Sequence, residues 1–384
     1  MAQSSSYDTQ AAPGLGSAVL MLAVLAGLGL ATLVDLIDGP GDARHELVAA
    51  TPAPPVTLNA LRKFPGAARY YVSKRYALKD EFVSLNAEAK LGLFGHSPYA
   101  RVLQGKDGFW FLGGDAAIDA TLGAVPGPQS SDAAWAAHFA NLGAAFKARS
   151  IPFVFILGPN KHGVYSEALP NWLSAAMPAQ SRASQIVAEA AQTLTPAPVD
   201  TGRLFAKARV RDSGLMLHHR TDTHWTEAGA TLAVNAALAP LALPGLSAPA
   251  TAMADKIGAA GDLARMIGWQ QRLSETVPTL PRASGLRCET PDGAPATILT
   301  LDPLPMKRFH CTTPGAAPGV VLVFMDSFGM GAVPRLTQLF SDVTFVWQDQ
   351  VDMSIVDAIK PDVTIQIMVE RKLQIADPAT LLRP

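Results

Sequence analysis

The residues best suited to chemistry lie in two short segments far apart in the chain. Asp222 and His224 occur in LHHRTDTHWTEAGA, and Ser327 occurs in VLVFMDSFG. A serine hydroxyl is a poor nucleophile near neutral pH unless a base takes its proton, and a carboxylate must hold that base in one tautomer. In an extended segment, residues two apart point to the same side, so Asp222 can reach Nδ1 of His224 and leave Nε2 for Ser327. The pattern predicts a Ser–His–Asp triad.

The histidines of the same segment allow a second interpretation, a metal site. His218 and His219, together with His224 and Asp222, offer four possible ligands. However, no second ligand pair has the i, i+4 spacing of a helical zinc site. We therefore expect no metal, and we expect His218 and His219 to be packing residues or to face solvent.

The segments around these residues alternate between strand and helix patterns. Ile151–Leu157 and Gly319–Met325 are continuous apolar runs, typical of buried parallel strands, and the second ends directly before DSFG. SSDAAWAAHFANLGAAFKAR has helical spacing after a serine cap, and Thr226 is placed to cap the helix that follows His224. Such alternation predicts a mostly parallel α/β sheet covered by helices, with a site at the carboxyl ends of its strands.

Polar residues follow the first of these strands in GPNKHGVYSEALP. Asn160 and Lys161 have donors suited to sugar hydroxyls or carboxylates, and His162 and Tyr165 could line the same crevice. An ordinary polar turn after a strand is an equally good interpretation. We also expect Trp225, next to His224, to contact the substrate.

The N-terminal part of the chain predicts a membrane anchor. Residues 1–13 form a polar tail, and residues 14–37 begin with 21 uncharged residues, enough to cross the ~30 Å apolar core of a bilayer. A cleaved signal peptide is the less favoured alternative, because the tail lacks basic residues and the apolar stretch is long. Residues 38–64, rich in Pro, Gly and Ala, predict a linker to one domain at 65–384.

Charge and cysteine content restrict the possible partners and compartment. The net charge is −1, from 31 basic and 32 acidic residues, and no basic patch stands out, so we do not expect a nucleic-acid partner. The two cysteines, Cys288 and Cys311, could form a disulfide outside the cytoplasm. In the cytoplasm they would be two unrelated thiols.

Six segments resemble the alginate O-acetylation protein family, a branch of the SGNH-type hydrolases that acetylates secreted polysaccharides. The family's triad corresponds to Asp222, His224 and Ser327, with the base and its carboxylate before the nucleophile. The family's nucleophile motif usually reads Gly-Asp-Ser, whereas Met325 stands in place of the glycine here. In order, and spanning roughly 80–375, the segments are LNAEAKLGLFGHSPYARVLQGKDGFWFLGGD, GPNKHGVYSEALP, TDTHWTEAGA, GDLARMIG, FMDSFG and KPDVTIQIMVERKL.

The resemblance implies an SGNH-like three-layer α/β sandwich with a mostly parallel central sheet. It implies an O-acetyltransferase that moves an acetyl group through an acyl-serine onto hydroxyls of an exported polysaccharide, alginate-like or other, with no metal or tightly held cofactor. Because acetyl-CoA is cytoplasmic, it also implies a membrane-bound O-acyltransferase as acetyl donor. The domain would lie in the periplasm, held to the inner membrane by a single span.

The sequence is also compatible with two other functions. A carbohydrate acetyl esterase would use the same triad, with water as the acceptor instead of a sugar hydroxyl. A non-catalytic polysaccharide-binding subunit is the other possibility, because a methionine side chain at position 325 could crowd the backbone near the nucleophile.

Overall fold

A computed structural model describes residues 79–94, 97, 99–242, 253–258, 260–296 and 308–384. The predicted tail, anchor and linker lie outside the described residues. Within the described ranges, no helix is both long and apolar enough to cross a membrane. The chain divides into two units, Met1–Glu88 and Ala89–Pro384. The second unit lies inside the predicted domain 65–384, whose N-terminal limit stays a prediction.

The strands of the described residues form one large sheet and three pairs. The large sheet has six strands in the order β3-β11-β8-β9-β7-β6. The first four run parallel, whereas β7 and β6 are antiparallel additions at one edge. The sheet that was predicted to be mostly parallel thus has four parallel strands and is mixed at one edge. The strands are β1 (Val102–Gln104), β2 (Trp110–Leu112), β3 (Phe153–Gly158), β4 (Ala254–Gly258), β5 (Glu275–Thr279), β6 (Arg287–Glu289), β7 (Arg308–Thr312), β8 (Ala317–Met325), β9 (Phe340–Trp347), β10 (Val351–Asp352), β11 (Val363–Val369) and β12 (Leu382–Arg383).

Helices cover the large sheet on both faces and connect its parallel strands. Short 3₁₀ turns occur at Pro128–Ser130, Ser166–Ala168, Ala239–Leu241 and Pro378–Thr380. In chain order the α-helices of the described residues are α1 (Lys79–Phe94), α2 (Ala117–Leu122), α3 (Asp132–Arg149), α4 (Lys161–Val164), α5 (Asn171–Ser174), α6 (Arg182–Ala190), α7 (Thr201–Arg211), α8 (Glu227–Leu238), α9 (Asp262–Met266), α10 (Gly329–Leu339), α11 (Met353–Ile359) and α12 (Lys372–Ile375).

Alternate residues of the central strands serve two separate cores. On β3, Val154 and Ile156 pack in the core that includes α8 and α10. Phe153 and Phe155 pack in the core that includes α3 and α6. Successive side chains of a strand point to opposite faces, so a strand that is buried on both faces has the continuous apolar run seen in the sequence. The result is a helix–sheet–helix arrangement, and the predicted helix-covered α/β architecture is confirmed.

Two predicted helix caps also agree with the structure. Ser131 caps α3 by accepting a hydrogen bond from the N–H of Ala134 at 3.3 Å. Thr226 caps α8 by accepting one from the N–H of Gly229 at 3.2 Å, and its own hydroxyl donates to the carbonyl of Met216 at 2.6 Å. A cap of this kind stabilises a helix by about 1 kcal/mol. Since α8 must begin at Glu227, the position of the preceding loop is fixed at this end.

The two cysteines are joined by a disulfide. Cys288 on β6 and Cys311 on β7 face each other across the antiparallel pair and are bonded. They are 23 residues apart in the chain, and a cross-link that closes a loop of this length stabilises a fold by about 3 kcal/mol in the chain-entropy model. The bond holds the antiparallel edge of the sheet together.

Candidate active site

Ser327 lies in a tight turn between a strand and a helix, which we call the serine turn (residues 326–329). Asp326 directly follows β8 and is buried. Its carboxylate accepts hydrogen bonds from the N–H of Phe328 at 2.9 Å and of Val369 at 2.8 Å, and it lies 3.0 Å from Nζ of Lys372. These contacts fix the backbone on both sides of Ser327, whose side chain stays partly exposed.

Met325 does not crowd the serine, because its side chain points into the core. It is fully buried in the cluster that includes α8 and α10. A Cβ added at Gly329 would overlap Cβ and Sδ of Met325. Because residue 329, one helical turn further along, is a glycine, the side chain of Met325 has room in the core. Met325 therefore gives no reason to favour a non-catalytic subunit.

Asp222 and His224 lie in an irregular segment that we call the Asp–His loop (residues 217–226). Nε2 of His224 is 2.8 Å from Oγ of Ser327, and Nδ1 is 2.6 Å from Oδ1 of Asp222. Oδ1 also accepts the N–H of His224 at 2.9 Å, and Oδ2 accepts the N–H of Asp262 at 2.8 Å. The three side chains that the sequence separates by up to 105 positions thus form one hydrogen-bonded chain.

The charges of Asp222 and His224 determine which nitrogen of the imidazole carries the proton. Burial alone would raise the pKa of Asp222, but the charge and hydrogen bond of His224 hold that pKa well below its usual range. Burial alone would lower the pKa of His224, but Asp222 outweighs it and the pKa is raised. Asp222 is therefore ionised and accepts the proton on Nδ1. In the neutral imidazole, Nε2 is left as the acceptor for the hydroxyl of Ser327.

A second carboxylate, Asp262, is a functional candidate that the sequence analysis did not single out. It accepts hydrogen bonds from the N–H of Thr223 at 2.8 Å and from its hydroxyl at 2.6 Å. Its Oδ2 lies 3.9 Å from Nδ1 of His224. A Cβ at Gly261 would overlap the backbone of the Asp–His loop, so a glycine is required where α9 approaches. The only signal in the sequence is the segment GDLARMIG, which carried no assigned role.

Asp222, His224 and Asp262 also form a group whose ligand atoms all lie within 4.8 Å of one another, which is close enough to hold a metal ion. Their oxygens already accept hydrogen bonds from backbone N–H groups and from Thr223, and the imidazole is engaged on both nitrogens. A cation would have to displace these bonds. The donor set therefore suits an oriented imidazole better than a metal.

Lys161 holds the Asp–His loop rather than facing a substrate. Its Nζ donates to the carbonyls of His219 at 3.0 Å, Arg220 at 3.2 Å and Asp222 at 2.7 Å. An ammonium has three donors, so none is left for a sugar. The side chain is only 2% exposed, and this burial lowers its pKa to about 8.

Tyr165 and Trp225, two other expected substrate contacts, are likewise buried and engaged with the backbone. The hydroxyl of Tyr165 accepts from the N–H of Leu217 at 2.9 Å and donates to the carbonyl of Leu215 at 3.3 Å. Nε1 of Trp225 donates to the carbonyl of Phe328 at 2.8 Å and so joins the Asp–His loop to the serine turn. The remaining two, Asn160 and His162, line a small recess beside the loop.

A cleft of about 170 Å³ opens over Ser327 and His224. One side of it belongs to α10 and the other to β5 and the segment after it. Arg282 at its edge is paired with Glu227 at 2.8 and 3.1 Å, so its charge is balanced. The apolar lining consists of Val277, Pro278, Met330 and Pro334, and the polar lining includes His219, Glu227, Thr279 and Arg282.

Comparison with known proteins assigns the fold and the family. Residues 102–290 match the family described as an SGNH hydrolase-like domain, acetyltransferase AlgX. The match supports a place for this chain in the alginate O-acetylation protein family. This confirms the family indicated by the six segments, and with it the SGNH-like α/β fold. Among curated proteins, none matches the sequence.

Several solved structures are similar to this member of the family. PatB1 of Bacillus cereus with a sulfonyl adduct has 13% identity and a TM-score of 0.51, over 73% of this chain and 99% of its own. A DHHW family protein from Eubacterium siraeum has 14% identity and a TM-score of 0.50, over 73% and 97%. The O-acetyltransferase domain of Pseudomonas putida AlgJ has 17% identity and a TM-score of 0.44, over 72% and 93%. At these identities the likeness concerns the fold alone.

Proposed function

We propose that this protein is an O-acetyltransferase that acetylates hydroxyl groups of an exported polysaccharide through an acetyl-Ser327 intermediate. The observation that carries the proposal is the chain of short contacts from Ser327 through His224 to Asp222, 2.8 and 2.6 Å long, at the floor of an open cleft. Membership of an acetyltransferase family supports the choice of acetyl transfer as the reaction.

In the first half of the reaction, Oγ of Ser327 attacks the carbonyl carbon of an acetyl donor. Nε2 of His224 takes the hydroxyl proton, and Asp222 stabilises the imidazolium that results. The bond from the acetyl carbon to the donor's leaving oxygen then breaks, and that oxygen receives the proton from His224. Acetyl-Ser327 remains.

In the second half, a sugar hydroxyl replaces the leaving group at the same position. His224 takes the proton of that hydroxyl as its oxygen attacks the acetyl carbon. The ester bond to Ser327 breaks, and Oγ of Ser327 recovers the proton. The small cleft, with apolar side chains on two sides, suits an acetyl methyl group next to a polar acceptor.

The negative charge that develops on the acetyl oxygen needs donors in both halves. The backbone N–H of Ser327 is one candidate, because it makes no hydrogen bond within the described residues. It lies at the end of β8 directly before α10, where the N-terminus of the helix adds a favourable dipole.

The proposal includes an acetyl donor and a location. The donor would be a membrane-bound O-acyltransferase that passes acetyl groups across the inner membrane. The protein would be held to that membrane by residues 14–37, with its catalytic domain in the periplasm. The disulfide between Cys288 and Cys311 supports an oxidising compartment.

Acetyl transfer can be tested with p-nitrophenyl acetate as donor, with and without a mannuronate hexasaccharide as acceptor. We expect acetylated oligosaccharide, detected by mass spectrometry, and an acetyl group trapped on Ser327 when the acceptor is left out. Equal release of free acetate with and without the acceptor would favour an acetyl esterase. An unreactive Ser327 would favour a polysaccharide-binding subunit and would refute both enzymatic functions.

A further inference from the structure

A small recess lies at the carboxyl ends of β3 and β11, next to the Asp–His loop. Asn160 and His162 line it from the end of β3, Arg371 from beyond the end of β11, and Thr223 from the loop itself. Its free volume is about 10 Å³, which is room for a single oxygen atom the size of a water molecule. Thr223 directly precedes His224, so the recess adjoins the proposed triad.

Two side chains of the recess each keep one polar atom without a partner among the described residues. These atoms are Nδ2 of Asn160 and Nδ1 of His162, on side chains that are 4% and 3% exposed. Nε2 of His162 lies 3.0 Å from the carbonyl of Leu112, which can only accept, so Nε2 carries the proton. Nδ1 is therefore an acceptor, whereas Nδ2 of Asn160 is a donor. Two residues that line the recess thus carry one unmatched donor and one unmatched acceptor.

Arg371 adds further donors to the recess. Its side chain lines the recess, and its Cζ lies 5.8 Å from the centre of the Phe328 ring. The ring of His224 packs on the same phenyl ring at 5.1 Å. Arg371 and His224 are therefore neighbours through Phe328, the residue that follows the nucleophile.

The chemistry of these atoms selects the kind of group that can occupy the recess. A carboxylate would satisfy Asn160 and Arg371 but would bring no proton to Nδ1 of His162. An ammonium would be repelled by Arg371 and Lys161. A hydroxyl group donates and accepts at once, and its oxygen fits the volume. Burial lowers the pKa of His162 to about 3, so Nδ1 is an acceptor throughout the neutral range.

We propose that this recess binds a second hydroxyl of the acceptor sugar, close to the hydroxyl that receives the acetyl group. Its proton is donated to Nδ1 of His162, and its oxygen accepts from Nδ2 of Asn160. Such a contact would hold the sugar ring in one orientation relative to His224 and so select the position that is acetylated. The inference rests on the proposed function, since it presumes a sugar acceptor in the cleft.

His218 is a second buried histidine that can be compared with His162. His218 is also buried, its Nε2 lies 2.9 Å from the carbonyl of Pro159, and its Nδ1 also lacks a partner among the described residues. However, His218 packs between the rings of Tyr165 and Phe205 and does not line the recess. An unmatched nitrogen alone therefore does not define a site. The pairing of a donor with an acceptor around one free volume does.

The first test replaces Asn160 by Ala in the full chain. Loss of one hydrogen bond to a substrate lowers affinity by roughly three- to tenfold, so we expect KM for the mannuronate hexasaccharide to rise by that factor. The rate at which p-nitrophenyl acetate acetylates Ser327, without acceptor, should stay the same. An unchanged KM would overturn the proposal and leave only an ordered water in the recess.

The second test compares two buried histidines. His162→Phe and His218→Phe each remove a hydrogen bond to a backbone carbonyl and an unmatched nitrogen, so both should lower the melting temperature. Only His162→Phe should raise KM for the acceptor while the rate of Ser327 acetylation stays the same, because His218 lies in the Asp–His loop and its replacement acts on both steps. If both variants raise KM equally, the effect comes from general loosening and the assignment of His162 fails.

The third test removes the sugar hydroxyl itself. Among monodeoxy derivatives of the acceptor, one should be several-fold poorer than the parent for the wild-type protein and no poorer for Asn160→Ala. If every derivative loses equally in both proteins, no hydroxyl is bound at Asn160. If the wild-type protein transfers no acetyl group at all, the proposed function fails instead. Calorimetric binding of the hexasaccharide to Ser327→Ala, with and without Asn160→Ala, then decides the subsite on its own.

Discussion

The serine turn and the Asp–His loop bring their residues to the same point by different means. The serine turn is built mainly from the adjoining strand and helix. β8 ends at Met325, Asp326 accepts the N–H of Phe328 two residues on, and α10 begins at Gly329, with a further N–H to Asp326 from Val369 on β11. The Asp–His loop has a single antiparallel bridge, between His218 and Trp225, and is otherwise held largely by side chains from distant segments. Lys161 holds three of its carbonyls, and Asp262 holds Thr223.

Glu275 completes the support of the Asp–His loop from β5. Its carboxylate accepts from the N–H of Arg220 at 2.6 Å and from the hydroxyl of Thr221 at 2.8 Å. Ser327, the proposed nucleophile, is therefore positioned mainly by the backbone of a strand and a helix, whereas His224, the proposed base, is positioned mainly by buried charged groups. Damage to one buried group should therefore move the base more than the nucleophile.

The largest effect on the rate of acetyl transfer should follow from breaking the hydrogen bonds that join the serine turn to the Asp–His loop. Replacing Ser327, His224 or Asp222 by Ala should lower the rate of acetyl transfer by about 10⁴ or more, because each takes part in the same proton transfer. The rate is measured as acetylated oligosaccharide formed per unit time. Ser327→Ala should keep the melting temperature of the wild-type protein, and full activity in all three variants would end the proposal.

A smaller effect should separate the supports of the two regions. Lys161→Met removes a donor from three loop carbonyls. The carbonyl of Arg220 keeps the N–H of Trp110, but those of His219 and Asp222 lose their donor, so we expect the free energy of unfolding to fall by about 3 kcal/mol. The displaced base should also lower the transfer rate by about 10². Both are measured on the same preparation, by chemical denaturation and by the oligosaccharide assay.

Lys372→Met is the matched control on the serine turn. Asp326 keeps its two backbone N–H donors in this variant, whereas the ion pairs of Lys372 with Asp326 and Asp349 are lost. Because the ammonium of Lys372 is partly exposed, we expect a smaller loss than for Lys161→Met, about 1 kcal/mol. Equal losses of stability and rate in the two lysine variants would contradict the distinction between a locally built turn and a loop built by tertiary contacts.

The smallest effect concerns pH. His224 must be neutral to take a proton, and its pKa is raised, chiefly by Asp222 against the opposing effect of burial. The transfer rate should therefore rise with pH through a midpoint above the ordinary value of about 6.5. Asp262 also contributes to the raised pKa, so Asp262→Asn should move this midpoint to lower pH by less than about one unit.

The control for this shift is Glu189→Gln, which removes an exposed carboxylate on α6, on the far side of the sheet. It should leave the pH profile unchanged. A profile that moves equally in both variants would mean that net charge, and not the position of Asp262, sets the pKa of His224.

Local patterns were enough to predict the parts of the fold that depend on short stretches of chain. The apolar runs of β3 and β8 are continuous because both faces of these strands are buried, and Thr226 caps its helix with its own side chain. The antiparallel pair β6–β7 and the hairpin β4–β5 were not predicted. These strands are short and partly exposed, so they lack a clear apolar pattern.

The residues of the candidate site also fall into those that the sequence predicted and those that it did not. The contacts of Asp222, His224 and Ser327 agree with their spacing and with the family motif. The structure uses Lys161 and Tyr165, expected to face a substrate, as internal supports instead. Asp262 and the pair of Arg282 with Glu227 went unnoticed, since a lone polar residue looks the same in a sequence whether it faces solvent or a buried partner.

What the sequence determined by itself is therefore the set of candidate reactive groups and the strand that presents Ser327, because both depend on stretches of a few residues. Only the tertiary structure decided which lysine, carboxylates and asparagine surround those groups. Hydrogen bonds and charge effects depend on separations of a few ångströms, and residues such as Lys161 and Asp222, 61 positions apart, reach such separations only when the chain has folded.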